Sequence, residues 1–363
     1  MFTLKENRMR TLLLSLCTIC ALGSFAQETT KLTAAKHNKY GLIYNLPRTQ
    51  VEIEALVTKT TVKVGPFYQY AERFLGTPAT ITQDAETYSL DKVQVFTRGV
   101  PDKEQQYLVQ FKSGSTPFIY LDKEGVILAV NTDPVAEAAI EPLTPQPKKY
   151  SLEGNSYYSV FSEDLLLAGS TNKMAEEAAK QLYHIRESKV NLITGDVDQI
   201  PADGESYKVI INQLDQQEQS LVALFMGTVE TEQYVKRFRI TPSDSLTDEI
   251  AFRFSTKRGI VSKDDLGGSP VYLNLKVTER GELPIDEKGR PMPLPKKGLV
   301  YCIPGSANIN LQLNGKELFN GNFQIAQFGV KYALDPSMFA NSKKGTAQVT
   351  FYPQTGAIRE IKY

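Results

Sequence analysis

The N-terminal part of the chain alternates apolar and polar residues, which is the pattern of half-buried β-strands. In "TQVEIEALVTKT" the alternating apolar positions are Val51, Ile53, Ala55 and Val57. Further strand-like runs follow at "KVQVFTRG", "QQYLVQFK", "PFIYLD" and "GVILAV". Residues 27–135 are therefore predicted to form a mostly antiparallel β domain.

One helix is predicted between these strands, in "GPFYQYAERFLG". Its apolar residues at helical spacing are Phe67, Tyr70, Ala71, Phe74 and Leu75, and Gly76 follows as a helix-ending residue. An aromatic stripe of this kind can line a ligand groove. It is more often a core face, and we interpret it as one.

The middle of the chain changes to helical spacing. A helix from Thr171 has an apolar face comprising Met174, Ala178, Leu182 and Ile185. A second helix is predicted to begin near Asp203, with a stripe comprising Ile211, Leu214, Leu221, Val222 and Phe225, and to end before Gly227. Two such helices joined by a short loop form an αα-hairpin, predicted within residues 151–228. The Pro-rich residues 136–150 before it are predicted to be a linker.

The remaining residues, 229–363, return to strand patterns. The clearest alternating row is Val271, Leu273, Leu275 and Val277. Asn314-Gly315 lies between two strand-like runs, which is a strong hairpin signal. We predict an antiparallel β sandwich or a partly open barrel. The whole chain is thus predicted to be a β-rich α+β protein.

Residues 1–26 have the features of a secretory signal peptide. Lys5, Arg8 and Arg10 precede the apolar run "TLLLSLCTICALGSF", and Ser24-Phe25-Ala26 forms a small-residue cleavage site. A lipid anchor at Cys17 or Cys20 is less favoured, because neither cysteine follows a small residue. The apolar run is shorter than the roughly 20 residues of a membrane span, and no such run follows it, so the mature chain is predicted to have no transmembrane segment.

Charge and cysteine content argue against a nucleic-acid partner and against a reactive thiol. Lys plus Arg number 41 and Asp plus Glu also number 41, so no net positive field attracts nucleic acid, and no nucleic-acid partner is predicted. Once the signal peptide is removed, Cys302 is the remaining cysteine. It lies in the apolar run "GLVYCIPG" and is interpreted as a buried, unreactive side chain.

The loop "ITGDVDQIPADGES" between the two predicted helices contains four carboxylates, Asp196, Asp198, Asp203 and Glu205. They could bind calcium, but an EF-hand loop counted from Asp196 has Ile200 at its fifth position and Tyr207 at its twelfth, where oxygen ligands are needed. Asp203 as a helix cap and Glu205 in the first helical turn explain the same residues. We therefore favour helix initiation and predict neither a metal nor another cofactor.

No catalytic motif is complete in the sequence. Ser170 and Lys173 fit the S-x-x-K pattern of penicillin-binding proteins, but the accompanying S-D-N and K-T-G motifs are not matched. The two histidines, His37 and His184, are far apart in the sequence and match no motif for a metal or a Ser-His triad. We predict no catalytic residue.

Four segments together resemble a known family: "YGLIYNLPRTQVEIEALVTKT", "GPFYQYAERFLG", "IRESKVNLITGDVDQIPADGESYKVIINQLDQQEQSLVALFMG" and "YPQTGAIREI". They are similar to an exported family of Bacteroidetes envelope proteins, domain of unknown function number 4831. The resemblance covers nearly all of the mature chain. It implies a periplasmic or outer-membrane-associated location and supplies no reaction or site residue.

The expected function is therefore binding of a protein or glycan partner in the cell envelope, without catalysis. The alternative is a hydrolase of envelope polymers whose carboxylates meet only in the fold. Paired carboxylates in a deep cleft would favour the hydrolase, and an aromatic surface or an exposed strand edge would favour binding.

Overall fold

The computed structural model describes residues 29–31, 41–109, 118–138, 140–151, 160–197, 204–293, 298–339 and 346–363. The α-helices are α1 (Ala71–Leu75), α2 (Glu163–Leu167), α3 (Thr171–Thr194) and α4 (Gly204–Met226), and 3-10 turns cover Tyr68–Tyr70 and Pro336–Phe339. The strands are β1 (Thr29–Lys31), β2 (Leu42–Lys63), β3 (Ala85–Val109), β4 (Ile119–Leu121), β5 (Ile127–Val130), β6 (Lys149–Tyr150), β7 (Thr228–Ile240), β8 (Leu246–Ser255), β9 (Gly259–Val261), β10 (Ser269–Glu279), β11 (Leu299–Leu313), β12 (Lys316–Leu334), β13 (Gln348–Phe351) and β14 (Ile358–Lys362).

Within the described residues the strands form three antiparallel sheets. Sheet I has the order β1-β3-β2-β7-β6, sheet II the order β12-β11-β10-β8-β9, and sheet III the order β14-β13-β5-β4. Sheet II curls into a half-barrel. The predicted fold class, a β-rich α+β protein with antiparallel sheets and a helical hairpin, is confirmed.

Sheets I and II pack face to face around the main hydrophobic core. The alternation in β2 is confirmed, because Val51, Ile53, Ala55 and Val57 are fully buried in this core. They meet residues such as Leu273 and Ile309 on the inner face of sheet II. Apolar side chains at every second position therefore determine which face of each sheet points inward.

The sheets cross the domain boundaries that the sequence predicts. β7, from the predicted C-terminal domain, pairs with β2 from Val51↔Ile240 to Lys63↔Thr228. β13 likewise pairs with β5 of the predicted N-terminal domain. Local alternation shows that a segment is a strand but not which distant strand it pairs with. The two β regions thus share cores, and the division at 135 and 229 does not separate them.

The described residues of the segment 136–150 lie across the outer face of sheet I instead of leading away from it. Gln146 donates its backbone N–H to Gln233 Oε1 at 2.9 Å, and β6 at the end of the segment pairs with β7. We call the described residues from Pro134 to Tyr150 the strap. Its main chain contacts side chains of the sheet, since Gln146 N–H donates to Gln233 and Glu141 O accepts from Gln94 Nε2.

The helical hairpin packs its open end, where α3 begins and α4 ends, against α1 and α2, and its loop end is exposed. Ala175, Ala178, Leu182, Leu221 and Phe225 are buried beside α1 and α2, whereas Val190, Ile193, Val209 and Ile210 are exposed near the connecting loop. Between the helices, Lys189 Nζ lies 2.5 Å from Asp215 Oδ1 and 2.7 Å from Glu218 Oε2. The predicted stripe on α3 is confirmed at Ala178 and Leu182.

The predicted helix in "GPFYQYAERFLG" is present but shorter than its spacing indicates. A 3-10 turn over Tyr68–Tyr70 leads into α1, which ends at Gly76 with φ 70°. That left-handed conformation suits glycine. Phe67 and Ala71 are buried in the helical core, as expected of a core face.

Candidate functional site

The four carboxylates of the loop between α3 and α4 are only partly within the described residues. Asp196 follows Gly195, a left-handed helix-ending residue, and its backbone N–H donates to Asn191 O at 2.9 Å. Glu205 lies in the first turn of α4, exposed, with Oε1 2.7 Å from Lys208 Nζ. Asp198 and Asp203 lie outside the described residues, so the predicted Asp203 cap and the calcium alternative both stay predictions.

The S-x-x-K pattern is explained by helix capping. Ser170 Oγ accepts the backbone N–H of Lys173 at 3.3 Å and thereby caps α3. Ser and Thr are preferred at this position because they satisfy an N–H that has no partner inside the helix. His184 is exposed on α3, and His37 lies outside the described residues. In the described part of the chain, no three or more His, Cys, Asp or Glu side chains are grouped as a metal site would require.

Cys302 is buried in β11, as its apolar surroundings indicate. Its side chain is 5 % exposed and Sγ lies 3.4 Å from Ala326 O. Burial raises the pKa of the Cys302 thiol to about 12, although the nearby Lys331 acts in the opposite direction. The thiol therefore stays protonated at neutral pH, where it is a poor nucleophile.

Two glutamates that the sequence places on the solvent side of β2 are in fact buried. Glu54 is 0 % exposed, and its Oε1 accepts from Arg237 Nε at 2.6 Å. Glu54 Oε2 accepts from Gln94 Nε2 and from the backbone N–H of Leu143, each at 2.8 Å. Because Leu143 belongs to the strap, the buried carboxylate attaches the strap to sheet I.

The pKa of Glu54 reflects these contacts. Burial acts most strongly and favours the neutral acid, but the hydrogen bonds from Leu143, Arg237 and Gln94 together lower the pKa below its usual value. A carboxylate held ionised by three donors is suited to fixing structure. It is poorly suited to acting as a general acid, which needs a raised pKa.

The groove beside the start of the strap is the place where a hydrolase would be expected. It has a volume of about 480 Å³, and it is lined by Arg98, Glu124 and Glu137 among others. Burial raises the pKa of Glu137, opposed by Arg359. Its carboxylate neighbours are engaged elsewhere: Glu124 Oε1 lies 3.7 Å from Arg98, and Asp122 accepts two backbone N–H groups of its own turn. The groove thus offers one carboxyl group with a raised pKa, whereas glycosidases use a pair.

The outer face of sheet II carries an unusual set of side chains. Five asparagines lie on three adjacent strands, and we call them the amide face: Asn274, Asn308, Asn310, Asn320 and Asn322. They alternate with inward apolar residues, for example Ile309 and Leu311, which are fully buried. The asparagines therefore point away from the core.

Strand register aligns these asparagines across the sheet. Asn274 of β10 is the partner of Asn310 in β11, which in turn is the partner of Asn320 in β12. In the next row Asn308 is the partner of Asn322. Directly paired residues on one face of a sheet have Cβ atoms about 4.5–5.5 Å apart, so neighbouring amides can bond to one another.

The amides form a connected hydrogen-bond network. Asn308 Nδ2 donates to Asn320 Oδ1 and to Asn322 Oδ1, both at 2.9 Å. Glu317 Oε2 accepts from Asn310 Nδ2 at 2.6 Å and from Asn320 Nδ2 at 3.1 Å. The side chains consequently hold one another in fixed orientations.

One polar atom of the network has no protein partner. Asn310 Oδ1 is inaccessible to solvent and accepts no hydrogen bond within the described part of the chain. At the edge of the same face, Tyr272 of β10 is 37 % exposed and is the cross-strand partner of Gln312. An exposed ring beside aligned amides is a surface able to contact a ligand through both apolar and polar atoms.

The sequence interpretation missed this face, although a signal for it exists. Asparagines alternate with apolar residues in "NINLQL" and recur in "FNGNF" on the other side of Asn314-Gly315. Because asparagine is disfavoured in strands, its repetition at outward positions indicates a role beyond forming the strand.

The fold and the site define a β-rich protein of two face-to-face sheets, with a projecting helical hairpin and an amide-lined outer face. The chain belongs to the family described as Domain of unknown function (DUF4831), whose model matches residues 40–359. Neither the comparison with curated proteins nor the comparison with solved structures gave a match. Among the helices that the structure describes, none has the length and apolar character needed to cross a membrane.

Proposed function

We propose that the protein is exported to the cell envelope, in the periplasm or at the outer membrane, and binds a protein or glycan partner there without catalysing a reaction. The observation that carries the proposal is the amide face, an ordered polar surface on the outside of sheet II. Amides beside an exposed Tyr272 provide the combination of polar and aromatic contacts that binding surfaces use.

The arrangement of carboxylates supports binding over hydrolysis. Glu54 is held ionised beneath the strap, and Glu137 has a raised pKa without a neighbouring carboxylate that is clear of other contacts. Export is supported by the signal-peptide features of residues 1–26. It predicts a mature protein beginning at Gln27, which intact-mass measurement of the protein from the native envelope can test.

Site-specific cross-linking tests the binding surface. A photo-reactive benzoylphenylalanine in place of Tyr272 should capture an envelope macromolecule after irradiation of intact cells. The same residue in place of Tyr363 is the control, because Tyr363 is 70 % exposed and lies beyond the end of β14, outside sheet II. Capture at position 272 but not at 363 supports the proposal. No capture at 272, or equal capture at both positions, would overturn it.

A further inference from the structure

We propose that the amide face binds a neutral glycan. This inference rests on the proposed function, because it names the class of partner for the same surface. The face combines asparagines at strand positions that disfavour them, uncharged amide chemistry, side chains held in fixed orientations, and one acceptor atom without a partner in the described residues.

Asparagine is an unfavourable choice for a solvent-facing strand position. Threonine, tyrosine and β-branched residues are preferred there, and asparagine is depleted. Two cross-strand rows nevertheless carry asparagine at Asn274, Asn310 and Asn320 and at Asn308 and Asn322. Departures from local preference that repeat in register are expected where a surface has a binding role.

The chemistry of the face matches hydroxyl groups. Each asparagine amide offers both donors and an acceptor and has no charge, and a sugar hydroxyl also donates and accepts. The charged side chains next to the rows are Lys276, the partner of Asn308, Glu317, which accepts from two asparagines, and Asp248, whose Oδ1 lies 3.4 Å from Asn274 Nδ2. One cation and two anions do not favour an acidic polymer.

A protein partner fits the face less well. The centres of protein interfaces are enriched in aromatic residues, Met and Arg that fill pockets on the partner. On the amide face the exposed aromatic ring is that of Tyr272, at one edge of the rows. A single ring beside uncharged amides is better suited to one apolar face of a sugar ring, whose hydroxyls then reach the amides.

The hydrogen-bond network prepares the face for binding. Asn308 Nδ2 is fixed by two amide oxygens at 2.9 Å, and Glu317 Oε2 fixes the amides of Asn310 and Asn320. Side chains that are already ordered lose less conformational entropy when a ligand binds. The orienting bonds involve Nδ2 of Asn308 and Oδ1 of Asn322, so the opposite polar atoms of these two amides take no part in them.

Asn310 Oδ1 supplies an independent indication. A buried acceptor without a partner is destabilising, and native proteins usually satisfy such atoms. This oxygen has no partner in the described residues and lies in the middle strand of the face, between Asn274 and Asn320. Because the oxygen is inaccessible in this arrangement, a ligand hydroxyl can donate to it once the Asn310 amide rotates outward, and the missing partner favours that rotation.

Affinity electrophoresis of the mature protein tests this inference. Native gels contain either a neutral polysaccharide (mannan, xylan, β-glucan or galactan) or the acidic polygalacturonate. We expect retardation by at least one neutral polysaccharide that persists at high salt, because no ion pair contributes. No retardation by any of the neutral polymers, or retardation by polygalacturonate alone that is lost in salt, would overturn the inference.

Variants connect the retardation to the face. Asn308→Ala with Asn322→Ala should weaken binding about tenfold or more, as expected when hydrogen bonds to a ligand are removed. Asn322→Asp is a second variant at an exposed position of the edge strand, where it replaces an amide by a charge without removing core contacts. Asn212→Ala is the control, because Asn212 is an exposed amide on α4. Retardation that is unchanged in both amide-face variants contradicts the inference.

The two proposals fail in distinguishable ways. If the cross-linker at position 272 captures a protein and no neutral polysaccharide retards the chain, the binding function stands and the glycan inference falls. If position 272 captures nothing and no neutral polysaccharide retards the protein, both the binding function and the glycan inference fall.

Discussion

The buried carboxylate of Glu54 should be one of the strongest single contributors to the stability of sheet I and its strap. Replacing it by alanine removes the acceptor for Arg237 Nε, Gln94 Nε2 and the backbone N–H of Leu143. All three donors then lose a bond to an ionised group, and the N–H of Leu143 belongs to the strap.

The magnitude follows from these contacts. Hydrogen bonds to charged groups contribute about 1.5–3 kcal/mol each, and breaking a buried ion pair costs about 3–5 kcal/mol. The Arg237 side chain is 51 % exposed, so it can be rehydrated, which reduces the cost. We expect Glu54→Ala to lower the free energy of unfolding by about 3 kcal/mol.

Glu52 provides a matched control on the same strand and the same face. It is also buried, at 5 % exposure, but within the described residues its carboxylate accepts one hydrogen bond, from Arg239 Nη2 at 3.3 Å. Glu52→Ala should therefore cost about 1.5 kcal/mol, the value of a single hydrogen bond to a charged group.

Urea unfolding of the two variants measures the difference, and hydrogen exchange of the Leu143 amide reports on the strap. In Glu54→Ala the exchange of this amide should accelerate, whereas in Glu52→Ala it should stay close to the parent rate. A Glu54→Ala variant that is no less stable than Glu52→Ala, or whose Leu143 amide exchanges at the parent rate, would refute the reasoning.

The pH dependence of stability provides a second test of the Glu54 contacts. The pKa of Glu54 is lowered in the folded protein, so its contribution is complete above the unfolded value of about 4.3 and is lost as pH falls through the folded pKa. The stability difference between the parent and Glu54→Ala should thus be full at neutral pH and shrink in acid. A difference that grows as pH falls below about 4 would show that the carboxyl is neutral in the folded state.

Three further predictions concern single residues. Asp203→Ala should lower the free energy of unfolding by about 0.5–2 kcal/mol by removing a helix cap, and Asp196→Ala should lower it by less than about 0.5 kcal/mol. Calcium should not change the melting temperature, and a calcium-dependent rise that Asp196→Ala abolishes would identify a metal site. Ser170→Ala should lower the free energy of unfolding by about 0.5–2 kcal/mol because Oγ caps α3. A fluorescent penicillin should label neither the parent nor this variant, and labelling that requires Ser170 would demonstrate acyl-enzyme formation. The Cys302 thiol should resist alkylation in the native protein and react once urea unfolds it, because burial raises its pKa to about 12; equal alkylation rates in the two states would contradict its burial.

The elements that could be predicted from the sequence are those fixed by local periodicity. The alternation around Val51 and Leu273, the stripe of α3 and the turn at Asn314-Gly315 all correspond to observed elements. Asn314 and Gly315 have φ of 51° and 76°, which is the conformation that a two-residue hairpin of this sequence requires.

The buried carboxylates could not be predicted because they depend on distant segments. Alternation places Glu52 and Glu54 on the face opposite the core, and that face is normally solvated. Glu54 is buried because the strap lies over it. The backbone N–H of Leu143, 89 positions further along the chain, donates to its carboxylate. Periodicity contains no information about a contact of that range.

The amide face is predictable only in part, because the alignment of its asparagines depends on one local irregularity. Comparing odd and even positions on the two sides of the turn reveals that irregularity. A two-residue turn at Asn314-Gly315 pairs Leu313 with Lys316 and so pairs odd positions of β11 with even positions of β12. Continued without interruption, that register would place asparagines of β11 on the same face as phenylalanines of β12, which mixes the polar and apolar sides of the sheet.

A β-bulge between Leu311 and Gln312 resolves the conflict. Beyond it Leu311 pairs with Phe319, and Asn310 pairs with Asn320, so like residues share a face. Since a bulge inserts one extra residue into one strand, it exchanges the two faces of the following segment. The positions of apolar residues on both sides of the turn therefore require a bulge, and the bulge is what brings the asparagines into register.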